Sequence, residues 1–122
     1  MPGRHGLMSI SIDQILRFAV KQGVSDIHLK VGRPPIYRKD GQLVPHHGAL
    51  IMQPIHIKEY IQQMATERHR KVFNDVGEVD FSYAIDGIGR FRVNAFYQRE
   101  LAGMVLRVIP THVLPLSELQ LP

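Results

Sequence analysis

The stretch Gly77-Glu78-Val79-Asp80-Phe81-Ser82-Tyr83-Ala84-Ile85-Asp86-Gly87-Ile88-Gly89-Arg90-Phe91-Arg92-Val93-Asn94-Ala95-Phe96 decides the fold. Val79, Phe81, Tyr83 and Ile85 alternate with Asp80, Ser82 and Ala84, the two-residue period of a strand with one wet face. Asp86-Gly87-Ile88-Gly89 supplies a turn. Beyond it Phe91, Val93 and Ala95 alternate with Arg90, Arg92 and Asn94, so the second run reads as the antiparallel partner of the first. A third strand, about Gly103 to Ile109, is expected after a turn near Arg99-Glu100, and Pro110 stops it. The C-terminal half is therefore a three-strand meander.

Upstream the period changes. Thr66 is placed to cap a short helix carrying Val72 and Phe73. Pro54 suits the first turn of another, with Ile57, Ile61 and Met64 on its buried stripe and Tyr60 beside them. Earlier still, Asp26 to Val31 alternates with Ile27, Leu29 and Val31 inward, and Gly32-Arg33-Pro34-Pro35 interrupts it. Ile36-Tyr37-Arg38 resumes extended structure, Asp40-Gly41 is a hairpin turn leading into Leu43-Val44, and Pro45 ends that strand or marks it as an edge. Ser11 with Gln14 forms a capping box for a helix presenting Ile12, Ile15, Leu16, Ala19 and Val20 on one face, with Ile10 as a staple and Gly23 as C-cap. The predicted order is helix, hairpin, two helices and a three-strand meander: a single α+β domain. Residues 1–9 read as a loose leader. Residues 111–122, with Pro115 and Pro122 around Ser117-Glu118-Leu119, read as a linker.

A chain of 122 residues has room for one core. It contains no cysteine, which removes disulfides, thiolate metal sites and cysteine nucleophiles. No apolar run approaches the length of a membrane span, and the first residues lack the apolar core of a signal peptide. The reading is a soluble, intracellular domain. Fifteen Lys and Arg oppose eleven Asp and Glu, a small basic excess that favours anionic partners. Arginine outnumbers lysine ten to five, and its planar fork grips phosphate better than an ammonium does.

The chemistry is sparse. None of the ten glycines begins a Gly-x4-Gly-Lys-[Ser/Thr] phosphate loop, and neither a complete dinucleotide fingerprint nor a Gly-x-Ser-x-Gly elbow is present. The chain by itself is not expected to be an enzyme. Seven histidines invite a metal, but the neighbours His46 and His47 point apart on a strand, and no ligand pair has helical spacing. His28 reads as a surface imidazole, and no metal site is expected. Glu78 and Asp80 share a strand face without a partner base, so they receive no catalytic role. Nucleic-acid binding ranks lowest, because Phe91 faces the core and only Phe96 shares parity with the basic residues. The arginines carry the remaining interest. Arg90 and Arg92 project from one strand face, and Arg107 sits between Leu106 and Val108, where an unpaired charge is costly. A salt bridge from Arg107 to Asp80 or Glu78 is favoured by the residues alone; a socket for phosphate or for a partner's carboxylate is the alternative.

Three stretches in order carry a family resemblance over residues 10 to 122. Gly23-Val24-Ser25-Asp26-Ile27-His28-Leu29-Lys30, followed by Gly32-Arg33-Pro34-Pro35-Ile36-Tyr37-Arg38-Lys39-Asp40-Gly41, resembles the opening of the twitching-motility or pilus-retraction branch of the secretion ATPase superfamily. The Pro34-Pro35 pair favours that branch over the assembly branch. Glu78-Val79-Asp80-Phe81-Ser82-Tyr83 resembles the next conserved strand of that family. Arg90-Phe91-Arg92-Val93-Asn94-Ala95-Phe96 and Leu106-Arg107-Val108-Ile109-Pro110 resemble its arginine-bearing block.

The resemblance implies a PAS-like antiparallel sheet flanked by helices over residues 10–110. Residues 111–122 would then lead to a RecA-like motor domain. It further implies a cytoplasmic homo-hexamer at the inner-membrane pilus platform, each N-terminal domain packing on its own and the neighbouring motor domain. ATP and Mg are implied for the full-length protein and no cofactor for the fragment. Arg92 and Arg107, with Arg90 third, would reach the nucleotide phosphates. A free-standing PAS-like module that binds a protein or an anionic small molecule is the alternative function.

Overall fold

In a computed structural model, residues 11–48 and 51–110 are described. The leader, the Ile10 staple and the proposed linker lie outside them. Helix α1 (Ile12–Gln22) starts where the capping box predicts. The Gln14 amide donates to Ser11 Oγ at 3.1 Å, and the Ser11 amide donates to Gln14 Oε1 at 3.0 Å. It ends at Gly23, whose left-handed backbone (φ 71°) lets its amide reach the carbonyls of Ala19 and Val20. Ile12, Ile15, Leu16 and Ala19 are fully buried along one stripe.

Strand β1 (Asp26–Lys30) is followed by β2 (Ile36–Lys39) and β3 (Gln42–Pro45). Asp40 and Gly41 both take positive φ, 51° and 79°, as the tight turn between β2 and β3 demands. The expected hairpin is thus the second half of a three-strand meander, with Pro45 ending an edge strand. Helix α2 (Pro54–Met64) begins with its proline in the first turn and buries Ile57, Tyr60, Ile61 and Met64. Helix α3 (Glu67–Val76) is capped by Thr66 Oγ1, which accepts from the His69 amide, and it buries Phe73 while Val72 stays exposed. Arg70 donates to the carbonyls of Gln62 and Ala65, tying the end of α2 to α3.

The second meander is β4 (Glu78–Ile85), β5 (Gly89–Gln98) and β6 (Leu101–Ile109). The two meanders fuse into one six-stranded antiparallel sheet ordered β3-β2-β1-β6-β5-β4. The join pairs Asp26 with Arg107, Ile27 with Leu106 and Leu29 with Met104. Ile27, Leu29, Tyr37, Phe81, Phe91, Val93, Met104 and Leu106 turn to one face and form a single core with the buried sides of the three helices. Tyr83 donates from its hydroxyl to Asp13 Oδ1 at 3.0 Å, fastening α1 over β4. The expected single α+β domain, a PAS-like antiparallel sheet with helices packed on it, is what the chain forms. Helices and one sheet face share that core; the other sheet face carries the polar parity.

This division gives a test at adjacent positions. Leu106 is fully buried at the join, whereas Val105, on the opposite face, is partly exposed. Leu106→Ala is expected to cost about 2–5 kcal/mol in urea unfolding, and Val105→Ala less than about 1.5 kcal/mol. Equal losses would mean that the sheet faces are assigned wrongly.

Candidate functional site

The register of the sheet sets five side chains in one row on the face turned from the core. Arg38 stands opposite Asp26, Asp26 opposite Arg107, Arg107 opposite Arg92, and Arg92 opposite Ser82. Directly paired residues in antiparallel strands have Cα atoms about 4.5–5.5 Å apart, so each charge in the row has its neighbour within reach. Arg90 lies two residues from Arg92 on the same face of β5, opposite Ile109. The structure therefore brings all three sequence-predicted arginines to one open face and makes Arg92 and Arg107 a cross-strand pair.

The favoured partner for Arg107 requires correction. Its Nε donates to Asp26 Oδ1 at 3.1 Å, not to Asp80 or Glu78. Strand β5 separates β6 from β4, which puts those two carboxylates two strands away. They instead accept from the Asn94 side-chain amide at 2.9 and 3.0 Å. The expected cost of an unpaired charge is also absent, because the Arg107 side chain is 74% exposed on the wet face. Arg90 and Arg92 are exposed, and among the described residues neither makes a side-chain hydrogen bond or ion pair.

Asp26 is a different kind of residue. Only 8% of it is exposed, and it is the one buried charged group among the described residues. Its Oδ2 accepts from the Ser25 hydroxyl at 2.7 Å, its Oδ1 accepts from Arg107, and Arg38 Nε stands 3.8 Å from Oδ2. Burial opposes its ionisation, yet the Ser25 hydroxyl, the Arg107 guanidinium and His28 outweigh burial and hold the carboxyl below its ordinary value of 3.8. The sequence pattern puts Asp26 on a polar strand face and assigns it no partner. Its alternation with His28 and Lys30 was the available signal; the pairing of β1 with β6 was not.

The histidines are held by their surroundings. Burial lowers the pKa of His28, with Asp26 opposing and Arg38 and Lys30 reinforcing. His46 bonds through Nδ1 to the Tyr37 hydroxyl and packs on Phe18 with ring centroids 4.6 Å apart. Burial, and then His47, depress its pKa. No group of three or more His, Asp or Glu among the described residues is arranged to hold a metal ion. No described helix is long and apolar enough to cross a membrane.

Because the folded Asp26 carboxyl titrates below the unfolded one, its contribution to stability is present above pH 3.8 and is lost as pH falls through the lowered folded value. Asp26→Asn is expected to lower the unfolding free energy by about 1–2 kcal/mol at neutral pH. That gap should narrow on stepwise acidification below 3.8, as followed by urea titration. A gap that stays constant into acid would assign the loss to shape and not to charge.

Comparisons with known proteins identify relatives of the chain. No protein-family model matches the chain. It is 40% identical over 113 residues to the type IV pilus retraction ATPase PilT of Pseudomonas aeruginosa, a match covering 90% of this chain and 32% of that protein. To the type IV pilus ATPase PilU of the same organism it is 38% identical, covering 93% of this chain and 29% of PilU. The crystal structure of the pilus retraction motor PilT with bound ADP superposes with a TM-score of 0.81 at 34% identity, over 93% of this chain and 33% of that one. The chain thus spans about a third of the length of the relatives it matches. Over nine-tenths of its length the chain is homologous to the pilus ATPases PilT and PilU, and its fold matches the N-terminal domain of PilT.

Proposed function

We propose that this chain is the N-terminal regulatory and assembly domain of a hexameric pilus-retraction ATPase, and that Arg92 and Arg107, helped by Arg90, contact the phosphates of bound ATP. The cross-strand pairing of Arg92 with Arg107 on the open sheet face is the observation that carries the reading. Two adjacent guanidiniums repel each other, and Asp26 compensates only one of them. A polyphosphate laid across β5 and β6 would supply the missing negative charge, and the flat, exposed forks are suited to its oxygens. The residues therefore fit the group the family implies. ATP with Mg supplies the phosphoryl group to be transferred, and the arginines neutralise charge that builds on the phosphate oxygens.

The open face is one wall of a site, not an enclosed pocket, so a motor domain must provide the other. Closure over nucleotide would move this domain against its own motor and against the neighbouring subunit, passing the step around the ring. The place of action is the cytoplasmic side of the inner membrane at the pilus base. Catalysis requires the motor domain; this domain contributes positioned cations and an intersubunit surface.

Arg92→Ala and Arg107→Ala, made separately in the full-length protein, should each reduce ATP turnover by at least about tenfold while remaining folded at the assay temperature; Arg107→Ala should melt lower than Arg92→Ala, because it removes a partner of the buried Asp26. Parent-like turnover in folded variants would sink the phosphate role. Calorimetric titration of the 122-residue chain with ATP and Mg, beside a light-scattering mass, should give no binding and a monomer. Tight binding or a stable oligomer would favour a free-standing module with a site of its own.

A further inference from the structure

We infer that Asp26 is a positioning residue for Arg107, orienting its guanidinium toward phosphate; the inference rests on the phosphate-contacting reading of Arg107. The carboxylate is itself firmly placed. Ser25 donates from its amide to the Arg38 carbonyl at 2.9 Å and accepts at its own carbonyl from the Val108 amide at 3.0 Å. From that fixed point the Ser25 hydroxyl holds Oδ2, leaving Oδ1 for Arg107. The Asp26 side chain is 11% exposed and the Arg107 side chain 74%, so a buried anchor grips the inner part of an exposed arm.

The atom that is gripped matters. A guanidinium presents five N–H donors in one plane. Asp26 takes the Nε hydrogen, and among the described residues no protein group takes those of Nη1 and Nη2. Pinning Nε limits rotation of the plane and leaves the two terminal groups as a free fork for a phosphate. A carboxylate bidentate with the terminal groups would have blocked that fork. Asp26 also offsets the repulsion from Arg92 directly opposite, which would otherwise drive the two long side chains apart. Arg38, on the other side of Asp26, is engaged elsewhere: its Nη1 donates to the Gly41 carbonyl at 3.2 Å on the β2–β3 turn.

A simple counter-ion and a positioning residue predict different kinetics. Removing a counter-ion makes the face more positive and should tighten nucleotide binding, whereas losing orientation lowers turnover at nearly unchanged affinity. In the full-length protein, Asp26→Ala is expected to lower kcat for ATP about tenfold with KM changed less than about twofold. Asp26→Asn keeps an oxygen that can accept from Nε and is expected to lose less. In an Arg107→Ala background, Asp26→Ala should have no further effect, since a residue acting only through another has nothing left to act upon. Thermal melts check that each variant is folded, and Asp26→Asn runs the same cycle if the alanine variant is not. Unaltered kcat in the Asp26 variants, or an equal loss with and without Arg107, overturns the positioning role. Parent-like turnover of Arg107→Ala alone overturns the phosphate reading first, and the positioning role with it.

Discussion

Five Cα pairs between β1 and β6, from Asp26 with Arg107 to Lys30 with Gly103, join two meanders that would otherwise be separate small sheets. Each meander alone has three strands, close to the minimum for a sheet that must also find a covering layer. Their union sets Ile27 and Leu29 beside Leu106 and Met104 on the core side and Asp26 beside Arg107 on the wet side. Because side chains alternate, a slip of one residue would turn Asp26 into the core and Ile27 into water. The same register therefore protects the interior and builds the charged row, and neither can be changed without the other.

The two faces answer to different physics. The core face is non-directional apolar contact, in which Phe91, Met104 and Leu106 are wholly removed from water. The open face is a pattern of charges, three guanidiniums against one carboxylate in a single row. Electrostatic fields there are screened within about 8 Å at physiological salt, so the row acts on a ligand in contact and not at a distance. Phe96 shares this face. Its ring covers Gly103, where an added Cβ would meet Phe96 Cε1 at 2.7 Å, so a cross-strand glycine makes room for an aromatic lying on the sheet.

Much of this was legible in the residues. Periodicity together with cap and turn residues located α1 with its capping box, the β4–β5 turn and the inward parity of Phe91 and Val93, because these are relations between residues close in sequence. The arginines were singled out as well, and their common face follows from strand alternation in β5. What could not be read was the joining of β1 to β6, whose paired residues Asp26 and Arg107 are 81 positions apart. Without that pairing Arg107 was assigned to Asp80 or Glu78, carboxylates that belong to the same local meander. Strand order across a sheet is set by how two layers of apolar surface close on each other, which a window of neighbouring residues does not contain.

The central position of β1 also bears on how the chain is made. A ribosome releases β1 early, and its neighbour β2 soon after, yet its other neighbour in the sheet is β6, the last described element. At roughly 5–20 residues per second, the separation of 81 positions from Asp26 to Arg107 corresponds to about 4–16 seconds of synthesis. Throughout that interval one edge of β1 waits for its partner, exposed to any chain or chaperone nearby. The β4–β6 meander, by contrast, can zip locally as it emerges and arrive as a preformed lid. The six-stranded sheet can therefore close only once its last-made strand has appeared.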